Sequence, residues 1–140
     1  MRVVLDTDVL VAAVRSKRGA SRAWIRAILR QEATLLLSVP LALQYEAVVT
    51  RPEHLSASGA NLEKMRSLLD GLCAVCIPVE IPFLWRPMLR NPDDEMVLEV
   101  AVSGAADYLL TFNDRDFTAA DRLGVTVERP GPAWRAWRRA

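Results

Sequence analysis

RVVLDTDVLVAAV, residues 2–14, is the stretch on which the fold turns. Residues 2–5 form a short β-branched apolar run, the composition of a parallel strand buried on both faces. From Val9 to Val14 the chain stays apolar and reads as helix. A strand that feeds directly into a helix opens an α/β unit. Between the two sit Asp6 and Asp8. Asp6 ends the strand, where it either caps the helix that starts near Val9 or faces the crevice beyond the strand's carboxyl end. In open α/β sheets that crevice is where ligands bind. Asp8, two residues on, can turn toward the same crevice.

The alternation continues along the chain. A helix is expected over about Ala20–Gln31, with Ala20, Trp24, Ala27 and Ile28 on one stripe and Arg22, Arg26 and Arg30 opposite. Residues 34–38 (TLLLS) read as a second strand. Ser38 and Pro40 suit the start of a helix that ends before Pro52. Residues 51–60 read as a polar loop, and Asn61 to Leu72 as a helix with Leu62, Met65, Leu69 and Leu72 on one face. Residues 74–79 give a short third strand. The stretch 80–90 is broken by Pro82 and Pro87, so any helix there is brief. Asn91-Pro92-Asp93-Asp94 opens a helix that stops at Gly104. Residues 107–111 make a fourth strand, 114–123 a short helix and 125–128 a fifth strand. No repeat or linker interrupts the series. The expected architecture is a three-layer α/β/α sandwich around a mostly parallel sheet of about five strands, as a single domain over 1–140.

Four acidic stations fall at positions that such a domain can bring together: Asp6, Glu46 in LALQYEAVV, Asp94 in NPDDEMVLEVA and Asp116 in LLTFNDRDF. Two of them follow apolar strands. Carboxylates collected in one crevice repel one another unless a cation or protons neutralise them. An all-oxygen donor set points to Mg²⁺ or Mn²⁺. Each station also has an ordinary structural reading. Glu46 is either solvated or shares an apolar face with Leu43 and Val49. Asp93 or Asp94 caps a helix and leaves the other free for chemistry. Asn113, Asp114 and Asp116 lie between a strand and a helix, where capping is again a role.

Composition excludes little but is consistent with this. Net charge is +1, so nothing global calls for nucleic acid or membrane. At 51% hydrophobic the chain can build a core. The cations are 16 Arg and 2 Lys; Arg suits bidentate phosphate contacts, though a GC-rich codon bias gives the same count. Arg15, Lys17 and Arg18 follow the first motif and could hold a phosphate backbone. Asp6 and Asp8 interrupt the N-terminal apolar stretch, unlike a signal peptide. No run reaches the ~18 apolar residues of a membrane span. A cytoplasmic protein is expected. Cys73 and Cys76 form C-x-x-C without a second pair, and are expected as buried, reduced thiols. Trp134 and Trp137, interleaved with Arg135, Arg138 and Arg139, either stack bases or anchor a C-terminal helix; anchoring is the simpler reading.

The order of the motifs is more specific than any one of them. LDTDVLVAAV, a helical Glu about forty residues on, DEMVLEVA and then DYLLTFNDRDF together resemble the PIN-domain nucleases, within them the VapC-like toxins of toxin–antitoxin pairs. The resemblance runs from Val3 to about Val127. It implies that Asp6 matches the first metal-binding aspartate, Glu46 the helical glutamate, Asp94 the third acid (with Asp93 as the alternative) and Asp116 the fourth. Asp8 stands where the family more often has Asn. Thr111 matches the threonine at the strand end, and Asn113 and Asp114 belong to the same motif beside the site. The activity implied is metal-dependent cleavage of RNA, with a cognate antitoxin and a homodimer as expected partners.

Two alternatives are set against this. The D-x-D opening also resembles haloacid dehalogenase-like phosphatases, in which the first Asp is an attacked nucleophile. Those need a later lysine near the site, and the chain offers only Lys17 and Lys64. The other alternative is a PIN-fold binding module without catalysis.

Overall fold

The computed structural model describes residues 1–81 and 88–139. The segment expected to be broken by Pro82 and Pro87 lies largely outside the described residues.

Five strands form one sheet: β1 (Arg2–Leu5), β2 (Thr34–Leu37), β3 (Ile77–Pro78), β4 (Tyr108–Leu110) and β5 (Val127–Glu128). Their order across the sheet is β3-β2-β1-β4-β5 and every pairing is parallel. β1 pairs with β4 in the register Val3 with Tyr108, Val4 with Leu109 and Leu5 with Leu110. From β1 the chain builds outward to β2 and β3 on one side, then returns to build β4 and β5 on the other. The boundary between β1 and β4 is therefore the switch point of the sheet, where a crevice opens beyond the strand ends.

Helices sandwich the sheet in three layers, as the alternating sequence pattern implies. They are α1 (Thr7–Arg15), α2 (Ala20–Leu29), α3 (Val39–Val49), α4 (Pro52–Ser58), α5 (Leu62–Val75), α6 (Pro92–Ser103) and α7 (Pro130–Arg139), with a 3₁₀ helix over Asp114–Leu123. Val3, Val4, Leu5, Leu35, Leu36, Leu109 and Leu110 are completely buried. Each such side chain contributes about 1.5–3 kcal/mol relative to exposure, which fixes the central strands and hence the crevice at their ends. Tyr45 of α3 is also fully buried, and its hydroxyl donates to the Leu5 carbonyl at 2.5 Å. That bond satisfies the last carbonyl of β1 just below Asp6.

Three expectations need correction. The polar loop over 51–60 is largely α4. Pro52 ends α3 but also sits at the first position of the next helix, where its missing N–H costs nothing. Glu53 lies in its first turn, and Gly59 closes it with φ of 70°. α5 runs on to Val75, three residues past Leu72, and shortens the third strand from 74–79 to Ile77–Pro78. Because the helix continues, Cys73 lies on its exposed face and Cys76 is half-buried, so the thiols are free but not both buried. Cys76 Sγ donates to the Cys73 carbonyl at 3.3 Å.

The Arg-rich tail is α7, and its tryptophans do anchor it. Trp24 stacks on Trp137 with ring centroids 5.0 Å apart and meets Trp134 edge-on at 5.3 Å. Trp24 Nε1 donates to the Pro130 carbonyl at 3.0 Å. The Arg138 guanidinium lies 4.6 Å from both Trp134 and Trp137 and pairs with Glu32 at 2.9 Å. Among the described residues, no helix is long and apolar enough to cross a membrane.

Candidate active site

Asp6 follows the last residue of β1 and is 7% exposed. Its backbone N–H continues the sheet by donating to Leu110 O at 2.9 Å. Its carboxylate does two things at once. Oδ1 accepts from Thr7 N–H at 2.8 Å, capping α1. Oδ2 accepts from the Thr111 hydroxyl at 2.7 Å, across the β1–β4 boundary. Thr111 is fully buried, and its Oγ1 also accepts from Asn113 N–H at 2.9 Å. The hydroxyl therefore ties the first acidic station to the loop that carries the last.

Asp8, in the first turn of α1, reaches the same loop. Its Oδ2 accepts from Phe112 N–H at 3.0 Å and from Asn113 Nδ2 at 2.9 Å. Its Oδ1 is buried without a hydrogen-bond partner. A buried carboxylate oxygen left in this state costs free energy, and a cation or a proton would offset it.

α6 supplies the third group. Its cap is Asn91, whose Oδ1 accepts from Asp93 N–H at 2.9 Å, with Pro92 in the first turn. Neither Asp93 nor Asp94 is spent on capping, and both line the crevice. The following Glu95 is buried, and its Oε1 accepts from the N–H groups of Met88 and Leu89, which holds the approach to α6 against the helix.

The result is one cavity of about 390 Å³ lined by Asp6, Asp8, Asp93, Asp94 and Asp116, with Asn91, Asn113, Gln44 and Arg51 on its walls. Its electrostatics follow from crowding. Burial raises the Asp6 carboxyl, with Asp116 adding to it against the hydrogen bonds from Thr111 and Thr7. Burial and then the Asp6 charge push Asp8 to about 7. Burial, followed by Asp6, Asp116 and Asp93, pushes Asp94 to about 6. These are carboxylates in want of positive charge. Among the described residues no three acidic, histidine or cysteine side chains already form a metal cage. The donors nonetheless suit a hard cation: all are oxygens, one is buried and unpartnered, and the cavity admits water.

The family model for the PIN domain matches residues 2–115, most of the chain. This chain belongs to the PIN-domain family. No curated protein matches the sequence. Solved structures with the same PIN fold include VapBC2 from Rickettsia felis bound to a DNA fragment from its promoter (TM-score 0.61, 15% identity, covering 92% of this chain and 98% of that one). VapBC-1 from nontypeable Haemophilus influenzae is similar at TM-score 0.57 and 16% identity, covering 93% and 98%. FitAcB from Neisseria gonorrhoeae is similar at TM-score 0.53 and 19% identity, covering 91% and 97%.

Within this PIN domain the sequence-predicted residues divide. Asp6, Asp8, Asp93, Asp94, Asn113 and Asp116 meet in the crevice, and Thr111 braces it from below. Glu46 does not join them. It is exposed and lines a separate, largely apolar cavity with Leu43, Leu69, Asp70 and Cys73. The reason is helical phase. The buried face of α3 is Leu41, Tyr45, Val48 and Val49, and Gln44 borders that face on the crevice side. Two residues further along a helix is about 200° around it, so Glu46 points away. Of the two readings of Glu46, the solvated one holds: Leu43, with which it would share an apolar face, is itself 62% exposed. The stripe at 41, 45 and 48 was the signal that would have favoured Gln44.

Asp114 is also outside the crevice, exposed and paired with Arg129 at 3.3 Å. Lys17 lines a different cavity with Arg22 and Lys64, and Arg15, the last residue of α1, and Arg18 beyond it are exposed. The same placement removes support from the phosphatase alternative, because both lysines lie in that other cavity. Arg51, Arg90 and Arg115, which motif reading passed over, line the crevice and its extension.

Proposed function

We propose that this PIN domain, spanning 1–140, is a Mg²⁺- or Mn²⁺-dependent endoribonuclease that acts as the toxin of a toxin–antitoxin pair. The observation that carries the reading is the convergence of Asp6, Asp94 and Asp116 on one crevice at the sheet's switch point. Those three would hold the cation, and Asp8 would add its unpartnered oxygen from the side.

When bound, the cation supplies an activated water and relieves charge on the leaving oxygen of a phosphodiester. The chain's own residues do the rest. Thr111 and the Thr7 N–H hold the Asp6 carboxylate in one orientation. Asn113 and the Phe112 N–H hold Asp8. Asn91 leaves Asp93 and Asp94 free by taking the cap itself. Fixed donors and acceptors lose little on reaching the transition state.

RNA as substrate and a cognate antitoxin as partner extend the reading. The likeness to structures whose names are those of VapBC and FitAB complexes supports a partner protein. A homodimer in the cytoplasm completes the proposal. The test is incubation of total RNA with the purified chain in Mg²⁺, in Mn²⁺ and in EDTA, beside Asp94→Asn. Cleavage that needs the metal and is lost in Asp94→Asn supports the nuclease. RNA left intact by the wild type in either metal favours the non-catalytic binding module.

A further inference from the structure

The acidic crevice does not end at Asp94 and Asp116. The same two residues, with Asn91, also line a second polar cavity of about 490 Å³, completed by Met88, Arg90 and Arg115. The two cavities therefore adjoin at these three residues. Arg90 comes from the segment that Glu95 holds in place through the Met88 and Leu89 N–H groups. Arg115 comes from the first turn of the 3₁₀ helix, beside Asp116. Among the described residues neither guanidinium closes an ion pair, whereas Arg129 and Arg138 do. Arg51 lines the carboxylate crevice but not the second cavity.

This pattern answers a physical difficulty. A polyanion is repelled by five clustered carboxylates, and a bound cation offsets only part of that charge. Positive groups flanking the acids restore attraction and fix the register of the strand. A planar guanidinium suits phosphate oxygens better than an ammonium does. We propose that Arg90 and Arg115 form the cradle for the phosphate adjacent to the one being cut, so that single-stranded RNA runs from the carboxylate crevice into this second cavity. The assignment rests on the nuclease reading, and it replaces Arg15, Lys17 and Arg18 as the backbone contacts.

The test uses a 5′-labelled single-stranded RNA oligomer and the full chain carrying Asp6→Asn to keep the RNA intact, with Mg²⁺ present. Affinity is followed by fluorescence anisotropy between about 50 and 200 mM salt. In this background Arg90→Ala and Arg115→Ala each weaken binding about tenfold and reduce the log–log salt slope by about 0.7. Arg115→Lys recovers part of the loss, and Lys17→Ala changes nothing. Circular dichroism melting checks that each variant is folded; both arginines are exposed, so folding is expected to persist. Unchanged affinity and slope in both alanine variants overturn the cradle while leaving metal-dependent cleavage by the wild type intact. Absence of any RNA cleavage by the wild type overturns the nuclease reading and the cradle together.

Discussion

The hydroxyl of Thr111 and the carboxylate of Asp6 meet at 2.7 Å, although 105 positions separate them in the chain. This bond joins the ends of the two central strands and orients the most buried acid of the crevice. Thr111→Val keeps the shape of the side chain and removes the donor. It leaves Asp6 Oδ2 buried without that partner, so stability falls by about 1–3 kcal/mol. Urea unfolding should show a lower midpoint at unchanged slope, and Thr111→Ser should restore most of the difference. A midpoint equal to wild type for Thr111→Val would mean that the bond does not matter to the fold.

The crowded acids make the metal-free protein sensitive to pH in an unusual direction. Asp6, Asp8 and Asp94 have carboxyls raised in the folded state, Asp8 to about 7 and Asp94 to about 6, against an ordinary value of 3.8. The folded chain then binds more protons than the unfolded chain between about pH 4 and 7, so their contribution to stability falls as pH rises through that window. In EDTA, Tm should therefore be higher near pH 5 than near pH 8. Asp8→Asn should flatten this dependence and raise Tm at pH 8. A Tm that climbs from pH 5 to 8 in EDTA, unaffected by Asp8→Asn, would contradict the electrostatic picture.

Phase on α3 predicts opposite outcomes for two neighbouring residues. Gln44 lines the crevice and Glu46 does not. Gln44→Glu adds a carboxylate beside the cation site and should tighten Mn²⁺ binding by roughly tenfold, within the range that neighbouring groups tune metal affinity. Glu46→Gln should leave it unchanged. Loss of Mn²⁺ binding in Glu46→Gln would return Glu46 to the site and show the helix phase to be misread.

The tryptophan cluster makes a prediction about stability rather than chemistry. Trp24 is fully buried under Trp134 and Trp137. Trp24→Ala should cost about 3–5 kcal/mol. Trp137→Ala should lower Tm with no change in RNA affinity once the variant is folded below its transition. Selective loss of RNA binding in a stable Trp137→Ala chain would make the tail a binding surface.

The centre of the sheet was legible because β1, β2 and β4 are short apolar runs, each followed by a recognisable helix start, whereas the two-residue, exposed β3 was not. That Asp6, Asp94 and Asp116 meet in one crevice was legible because each sits close to where an element begins or ends at that edge of the sheet; topology alone did not separate Asp116 from Asp114, which faces Arg129 instead. Glu46 lies mid-helix, where only rotation about the axis decides its direction. Exposed Leu43 and Val39 blurred that rotation by making the solvent face look apolar. Pro52 misled because one residue ends a helix and starts another. Arg115 was hidden between Asp114 and Asp116, and Arg90 between a proline-broken stretch and the helix start at Asn91; only the adjoining cavities show what the cations face.

The most direct test of the shared-cation account is calorimetric titration of the wild type, Asp6→Asn, Asp94→Asn and Asp116→Asn with Mn²⁺. The account predicts saturable binding to the wild type, weakened at least about tenfold by each substitution even though they lie on three separate elements. Wild-type protein that takes up no Mn²⁺, or uptake that all three substitutions leave unaltered, would contradict it.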